Sequence, residues 1–188
     1  PIQLAAERLR RKFLDRLPEA DRDVLDRSTH TIVAQVEALK AMVNAFSEYA
    51  RPPRLELKAI RLSRVIREVV DLYTGETARV DIALNIPEDE PPVRADVGRV
   101  RQLLHNLLRN AEEAQAEGRA RIDVALYGSA EGSRNYLELE IRDHGPGIPE
   151  NLLDRLFEPY TTTKAKGTGL GLAIVKKIVD EHGAHIRV

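Results

Sequence analysis

Three short clusters carry residue types suited to phosphate and purine chemistry. Asn106 and Asn110 stand four apart within 97–117, so on a helix their amides stack on one face. Asparagine is a poor helix former. Its amide oxygen is a hard, neutral ligand that suits magnesium also holding phosphates and water. The competing reading is that both amides hydrogen-bond a neighbouring loop. Asp143-His144-Gly145-Pro146-Gly147 follows an apolar alternation. A carboxylate there can accept a hydrogen bond from an exocyclic amine, and the glycines let the backbone approach a flat ring. An ordinary strand-exit turn has the same composition. Lys166-Gly167-Thr168-Gly169-Leu170-Gly171-Leu172 opens the last helical stretch, where free amides and the helix dipole favour phosphate. It is not a P-loop, because no strand leads directly into it and the lysine precedes the glycines. A flexible hinge is the alternative. Phe157-Glu158-Pro159-Tyr160-Thr161-Thr162-Thr163-Lys164 lies between the last two clusters. It is long enough for a lid, with Lys164 and Lys166 as point charges for phosphate; a solvated loop competes with that reading.

The elements that must position these clusters read as follows. The stretch 97–117 is a helix with an apolar stripe of Val100, Leu103, Leu107, Ala111 and Ala114; the two asparagines border that stripe. Periodicity predicts a further helix over 62–73, strands over 80–86, 122–127 and 136–141, and a last helix over 169–182 stopped by Gly183. Gly128-Ser129-Ala130-Glu131-Gly132-Ser133 reads as the turn between two strands, Pro91-Pro92 as a break, and 185–188 as the start of a strand. The mixture predicts an α+β sandwich with one sheet and helices on one face.

The first fifty residues differ. Leu25, Thr29, Ile32, Val36, Leu39, Val43, Phe46 and Ala50 step by four and three, the spacing of a long bundled helix. A shorter series, Ile2, Ala6, Leu9 and Phe13, precedes it, and Leu17-Pro18-Glu19-Ala20-Asp21 reads as the turn between them. A lone hairpin cannot bury that seam, so a homodimeric four-helix bundle is expected. Arg51-Pro52-Pro53-Arg54 marks a linker, giving domains at 1–50 and 51–188.

Composition bounds the rest. Aromatic residues are only 4%, so the core must be aliphatic. The formal net charge of -1 lacks the basic footprint of a nucleic-acid binder. With no cysteine, disulfides and thiolate metal sites are excluded. No apolar run approaches the roughly 20 residues that span a bilayer, so this segment is not expected to insert. Neither end has a natural look, which suggests a piece of a longer protein.

In order and separation, the clusters resemble the nucleotide-binding domain of bacterial sensor histidine kinases, of Bergerat or GHKL type. Asn106–Asn110 is similar to the N box, Asp143-x-Gly145-x-Gly147 to the G1 box, Phe157-Glu158-Pro159-Tyr160 to the F box, and Gly167-Thr168-Gly169-Leu170-Gly171-Leu172 to the G2 box. The preceding hairpin resembles the family's dimerisation and phosphotransfer domain. The opening Pro1-Ile2-Gln3-Leu4 resembles the segment after the phosphoacceptor in nitrogen-regulation kinases of the NtrY type, which would put the acceptor histidine eight positions before Pro1. The resemblance implies ATP and Mg2+ as cofactors and a response regulator receiver domain as partner. It also implies the cytoplasmic segment of an inner-membrane sensor. Asp143 would bind the adenine amino group, Gly145 and Gly147 would line its pocket, Asn110 would ligate magnesium, and Asn106 would help hold phosphates and metal. Tyr160, Thr162, Lys164, Lys166, Gly167, Thr168, Gly169, Leu170 and Gly171 would close the phosphate side.

Two departures bear on the chemistry. Many family members carry lysine where this chain has Glu113, which would leave the triphosphate to Lys164 or Lys166. The ATPases of this fold resemble one another in a glutamate, the general base for water, four residues before the metal-binding asparagine. Here that position is Asn106, and an amide takes no proton at neutral pH. The expected reaction is therefore transfer to histidine, with a GHKL ATPase or protein serine kinase as the alternative. Of the five histidines, His30 lacks the flanking residues of an acceptor, His105 reads as a helix-surface or core-edge residue, and His182 would simply favour a helix C-terminus.

Overall fold

In a computed structural model of the chain, residues 1–50, 54–75, 78–115, 118–131, 134–164 and 167–188 are described. The linker expected at Arg51-Pro52-Pro53-Arg54 thus lies mostly outside the described residues. The chain divides into two compact units. One holds 1–50 together with Lys164, and the other holds the remaining described residues.

The first unit is the expected hairpin. Helix α1 (Ile2–Phe13) is followed by a 3-10 turn at Leu14–Arg16 and helix α2 (Glu19–Ala50). Gln3 reaches Glu37 and Arg10 reaches Asp26, so the helices run antiparallel. Ala6 and Thr29, both 3% exposed, close the interface. Thr29, the polar member of the seam, donates its hydroxyl to the Leu25 carbonyl at 2.8 Å and so buries without an orphaned group. The turn lies earlier than the sequence indicates. Glu19, Ala20 and Asp21 are helical, and the Pro18 carbonyl accepts from the amides of Asp21 and Arg22. Proline just before a helix has no N–H to orphan, and Glu19 and Asp21 favour the first turn through the dipole.

The second unit has strand β1 (Lys58–Ile60), helix α3 (Leu62–Val70), strands β2 (Val80–Asn85) and β3 (Val93–Ala95), and helix α4 (Val97–Ala114). Strands β4 (Ala120–Glu131) and β5 (Arg134–Asp143), the single turn α5 (Glu150–Leu153), and helix α6 (Gly171–Glu181) complete it. The strands form two sheets where one was expected. β1 pairs antiparallel with β3, while β2–β4–β5 form a sheet in which β2 and β4 are parallel and β4 and β5 antiparallel. Strands of three residues, such as β1 and β3, are too short to show an alternation.

The predicted turn at Gly128 is instead ladder: Gly128 pairs with Leu137, Ser129 with Tyr136 and Ala130 with Asn135. Backbone pairing with β5 overrides weak local propensity; Gly132 and Ser133 of the expected turn lie outside the described residues. Residues 185–188, read as a strand, have no ladder partner among the described residues; Arg187 instead bonds Glu138 of β5.

The core is aliphatic. Ile122, Val124 and Leu126 on the inner face of β4 meet Val65, Ile66, Val69 and Val70 of α3 and Leu104, Leu108 and Ala111 of α4. The stripe assigned to α4 is thereby corrected. Leu104 and Leu108 are 1% and 0% exposed, whereas Val100, Leu103 and Leu107 are half-buried. The apolar residues of helix α4 span an arc of about 140° at 100° per residue, wide enough to pack on α3, β4 and α6 together. Periodicity cannot choose the centre of so wide a stripe.

Candidate functional site

Helix α4 starts at a side-chain cap. Asp96 Oδ1 accepts the Arg99 amide at 3.1 Å, and Oδ2 accepts the Glu56 amide at 2.8 Å. Burial of Asp96 pushes its carboxyl up, but amides of Glu56, Arg99 and Gly98 outweigh that and hold it below the ordinary value. Farther along, the Tyr73 hydroxyl lies 3.1 Å from His105 Nδ1, with the rings 5.7 Å apart. His105 is therefore turned toward the end of α3, which makes it a core-edge rather than a helix-surface residue. The next residue, Asn106, is turned about 100° away around a helix of 3.6 residues per turn.

That turn brings Asn106 and Asn110 to the start of α6. A Cβ placed on Gly171 would lie 3.6 Å from Asn106 Oδ1 and 3.7 Å from both Nδ2 and Oδ1 of Asn110. Both asparagines are half-buried, at the edge of the core. One turn farther along the same face, Ala114 meets the second cluster: a Cβ on Gly145 would come within 3.0 Å of Ala114 Cβ. The Gly145 amide donates to Asp143 Oδ1 at 2.9 Å, which fixes the turn after β5 and leaves the second carboxylate oxygen for another donor. One line on α4, Asn106–Asn110–Ala114, therefore joins the glycine-opened helix to the strand-end aspartate. Ala114 was read only as stripe; the i, i+4, i+8 spacing from Asn106 was the signal that places it at the site.

The third cluster is tied to the lid by backbone. Gly169 has φ +65°, and a Cβ on it would lie 2.5 Å from the Tyr160 carbonyl carbon. The Tyr160 amide donates to the Gly169 carbonyl at 2.9 Å, and Tyr160 itself has φ 67°. The left-handed conformation at Gly169 delays α6 to Gly171, two residues past the expected start. Leu170 is 1% exposed; its side chain anchors the loop in the interior and does not line a site. Thr168 Oγ1 accepts the Leu170 amide at 3.4 Å. Gly167 and Thr162 are exposed. Gly147 has φ +79° with open space around it. Lys164 is grouped with the helical unit, and Lys166 lies outside the described residues. Glu113 accepts from Arg109 Nε at 2.8 Å, so its carboxylate is held in an ion pair.

His144, inside the second cluster, bonds Asp123 Oδ2 on β4 at 2.7 Å, and this bond holds the Asp123 carboxyl below its ordinary value. A shallow concavity of about 530 Å3 lined by Asp81, Arg119 and Arg121 contains none of the clustered residues; its charges come from β2, from β4 and from the residue just before β4. Among the described residues no group of three His, Cys, Asp or Glu could hold a metal ion. Metal binding here would need oxygens from the amides and from a phosphate-bearing ligand. No helix among them is long and apolar enough to cross a membrane.

A family profile described as histidine kinase-, DNA gyrase B-, and HSP90-like ATPase matches residues 95–188. The nitrogen regulation protein NtrY of Azorhizobium caulinodans is 42% identical over 196 residues, covering 100% of this chain and 24% of that protein. The sensor histidine kinase ZraS of Escherichia coli K12 is 35% identical, covering 82% of this chain and 32% of that one. The chain thus spans a third or less of the length of these relatives. Among solved structures, the histidine kinase ThkA in complex with the response regulator TrrA superposes with a TM-score of 0.67 at 27% identity. That match covers 97% of this chain and 52% of that one. ShkA in complex with AMPPNP gives 0.65 at 27% identity, covering 85% of this chain and 34% of that one. The chain belongs to the family of histidine kinase-, DNA gyrase B- and HSP90-like ATPases.

Proposed function

We propose that this chain is the catalytic part of a sensor histidine kinase, binding ATP with magnesium and delivering the γ-phosphoryl group to a histidine of its parent protein. The observation that carries the reading is the approach of Asn106 and Asn110 to the glycine that opens α6. A helix start offers unpaired amides and the positive end of the dipole to phosphate. The absence of a side chain at Gly171 leaves room for phosphate oxygens, and Asn110 Oδ1 borders the same gap as a ligand for magnesium. Bound with the triphosphate, the ion would neutralise charge on the transferring oxygens. Asp143, with one oxygen committed to Gly145, would accept from the adenine amino group.

In the reaction the acceptor imidazole nitrogen forms a bond to the γ-phosphorus as its bond to the β,γ-bridging oxygen breaks, and ADP leaves. The protein's share is positioning and charge stabilisation. Asn106 stands where a hydrolase of this fold needs a base, which favours transfer to histidine over transfer to water. The NtrY and ZraS relatives and the ThkA–TrrA complex support a response regulator aspartate as the next acceptor. The parent is read as a membrane-anchored sensor with this segment on its cytoplasmic side.

Titration with a fluorescent ATP analogue tests the reading. Wild-type chain is expected to bind more tightly with magnesium than with chelator. Asn110→Ala should weaken binding by about tenfold, the equivalent of 1.4 kcal/mol, and abolish the magnesium dependence. Equal affinity in wild type and variant under both conditions would sink the reading.

A further inference from the structure

Near the far end of α6, His182 does more than favour a helix terminus. Its Nε2 accepts the backbone amide of Asp96 at 3.0 Å, and its Nδ1 lies 2.7 Å from the Ile178 carbonyl of its own helix. An acceptor Nε2 and a donor Nδ1 define a single neutral tautomer. Asp96 is the residue that caps α4, and its amide lies outside the helical ladder, so the imidazole supplies the partner that this half-buried group needs.

We propose that His182 is a positioning residue that sets the register of α6 against α4, and so holds Gly171 opposite Asn106 and Asn110. This rests on the nucleotide-binding reading of that gap. The helices pack along their length, with Gly171 beside Asn106 and Asn110 at one end and His182 bonded to Asp96 at the other. They therefore run antiparallel. From Gly171 to His182 is eleven residues, about 16 Å of helix, and from Asp96 to the asparagines is ten to fourteen, about 15–21 Å. The spans match, so a slip at the histidine end is transmitted along a rigid rod to the glycine end.

Between the contacts the interface is aliphatic on the α6 side, with Ile174, Val175 and Ile178 buried. Such contacts resist separation but are poor at choosing a register, because apolar surfaces are non-directional. A directional bond at one end does choose. Arg99, 7% exposed beside Glu181 at 3.7 Å, braces the same corner electrostatically. It joins guanidinium to carboxylate at a distance longer than a hydrogen bond and so fixes position less sharply.

Three variants of the full chain test this: His182→Phe, which fills the space without an acceptor, His182→Gln, which can accept and donate at similar reach, and His182→Asn, which is too short. Two readouts are taken. In nucleotide-free protein, amide exchange at Asp96 and the side-chain amide NMR signals of Asn106 and Asn110 report the register without reference to ATP. The affinity for the fluorescent ATP analogue with magnesium reports its consequence. Phe and Asn are expected to speed Asp96 exchange, shift both asparagine signals and weaken nucleotide binding about tenfold, with Gln within about threefold of wild type. Unchanged asparagine signals in Phe and Asn would overturn the proposal, as would a Gln variant as impaired as Phe. Should Phe fail to fold, Asn against Gln makes the same comparison. Failure of the wild type to bind nucleotide would refute the ATP reading alone, and the NMR readout would still judge the register.

Discussion

Two glycines two positions apart do different work. Gly169 has no room and the wrong φ for a side chain, since a Cβ would strike the Tyr160 backbone at 2.5 Å. At Gly171 a Cβ would make ordinary contacts of 3.6–3.7 Å with the asparagine amides. Gly169→Ala is therefore expected to strain the loop by at least about 1–2 kcal/mol from the left-handed conformation alone. It should lower the melting temperature by several degrees, together with nucleotide affinity. Gly171→Ala should leave the melting temperature within about 2 °C of wild type, because alanine is helix-favouring, yet weaken binding by crowding the gap. Thermal melts beside nucleotide titrations separate the two. A Gly171→Ala protein that bound normally would show that the gap is not where phosphate sits. At this scale the sequence singled out the run 167–171 but treated it as one glycine-rich contact. Only coordinates assign Gly169 to the lid backbone, Leu170 to the core and Gly171 to the amides.

The decisive element is α4. It carries the amide pair, the core residues Leu104, Leu108 and Ala111 and, through Asp96, the tie to the segment entering at Glu56. Asp96→Ala removes acceptors for the Arg99 and Glu56 amides and is expected to cost about 1 kcal/mol, as for other lost helix caps. The native Asp96 carboxyl titrates below its ordinary value, so its stabilisation is present above the unfolded value, about 3.9. It fades as pH falls through the native one. The melting-temperature gap between wild type and Asp96→Ala should thus be full at pH 7 and shrink below about pH 4. A gap that held its size under acid would show that the cap is not the source. Long periodic elements such as α2, α4 and α6 were legible because one amphipathic face repeats many times. The three-residue strands β1 and β3 were not, because their hydrogen-bond partners are remote in sequence, and the extension of β4 through Gly128 was not, because its small residues have the composition of a turn and only pairing with β5 makes them strand.

Across the whole molecule, the hairpin leaves Ile32, Leu39, Val43 and Phe46 at 42%, 59%, 61% and 51% exposure, a row of large apolar side chains on one long helix. The homodimer proposed from the heptad spacing would cover them. Sedimentation equilibrium should give twice the 21.1 kDa chain mass. Leu39→Glu with Phe46→Glu should return it to the monomer mass without altering nucleotide affinity, since neither residue belongs to the proposed site. A wild-type monomer at micromolar concentration would overturn the dimer.

By itself the sequence determined that α2 is a long helix with an apolar seam, that an amide pair sits on α4, and that glycines punctuate β5 and α6. Local repetition and the special backbone freedom of glycine write these directly into residue order. The tertiary structure alone decided that Asn106, Asn110 and Ala114 form the line joining Gly171 to Gly145, that Tyr160 closes on Gly169, and that His182 reaches Asp96. Each of those contacts joins residues that lie far apart in the chain or depends on the rotation of one helix about its axis. No local pattern specifies a distance across folded space.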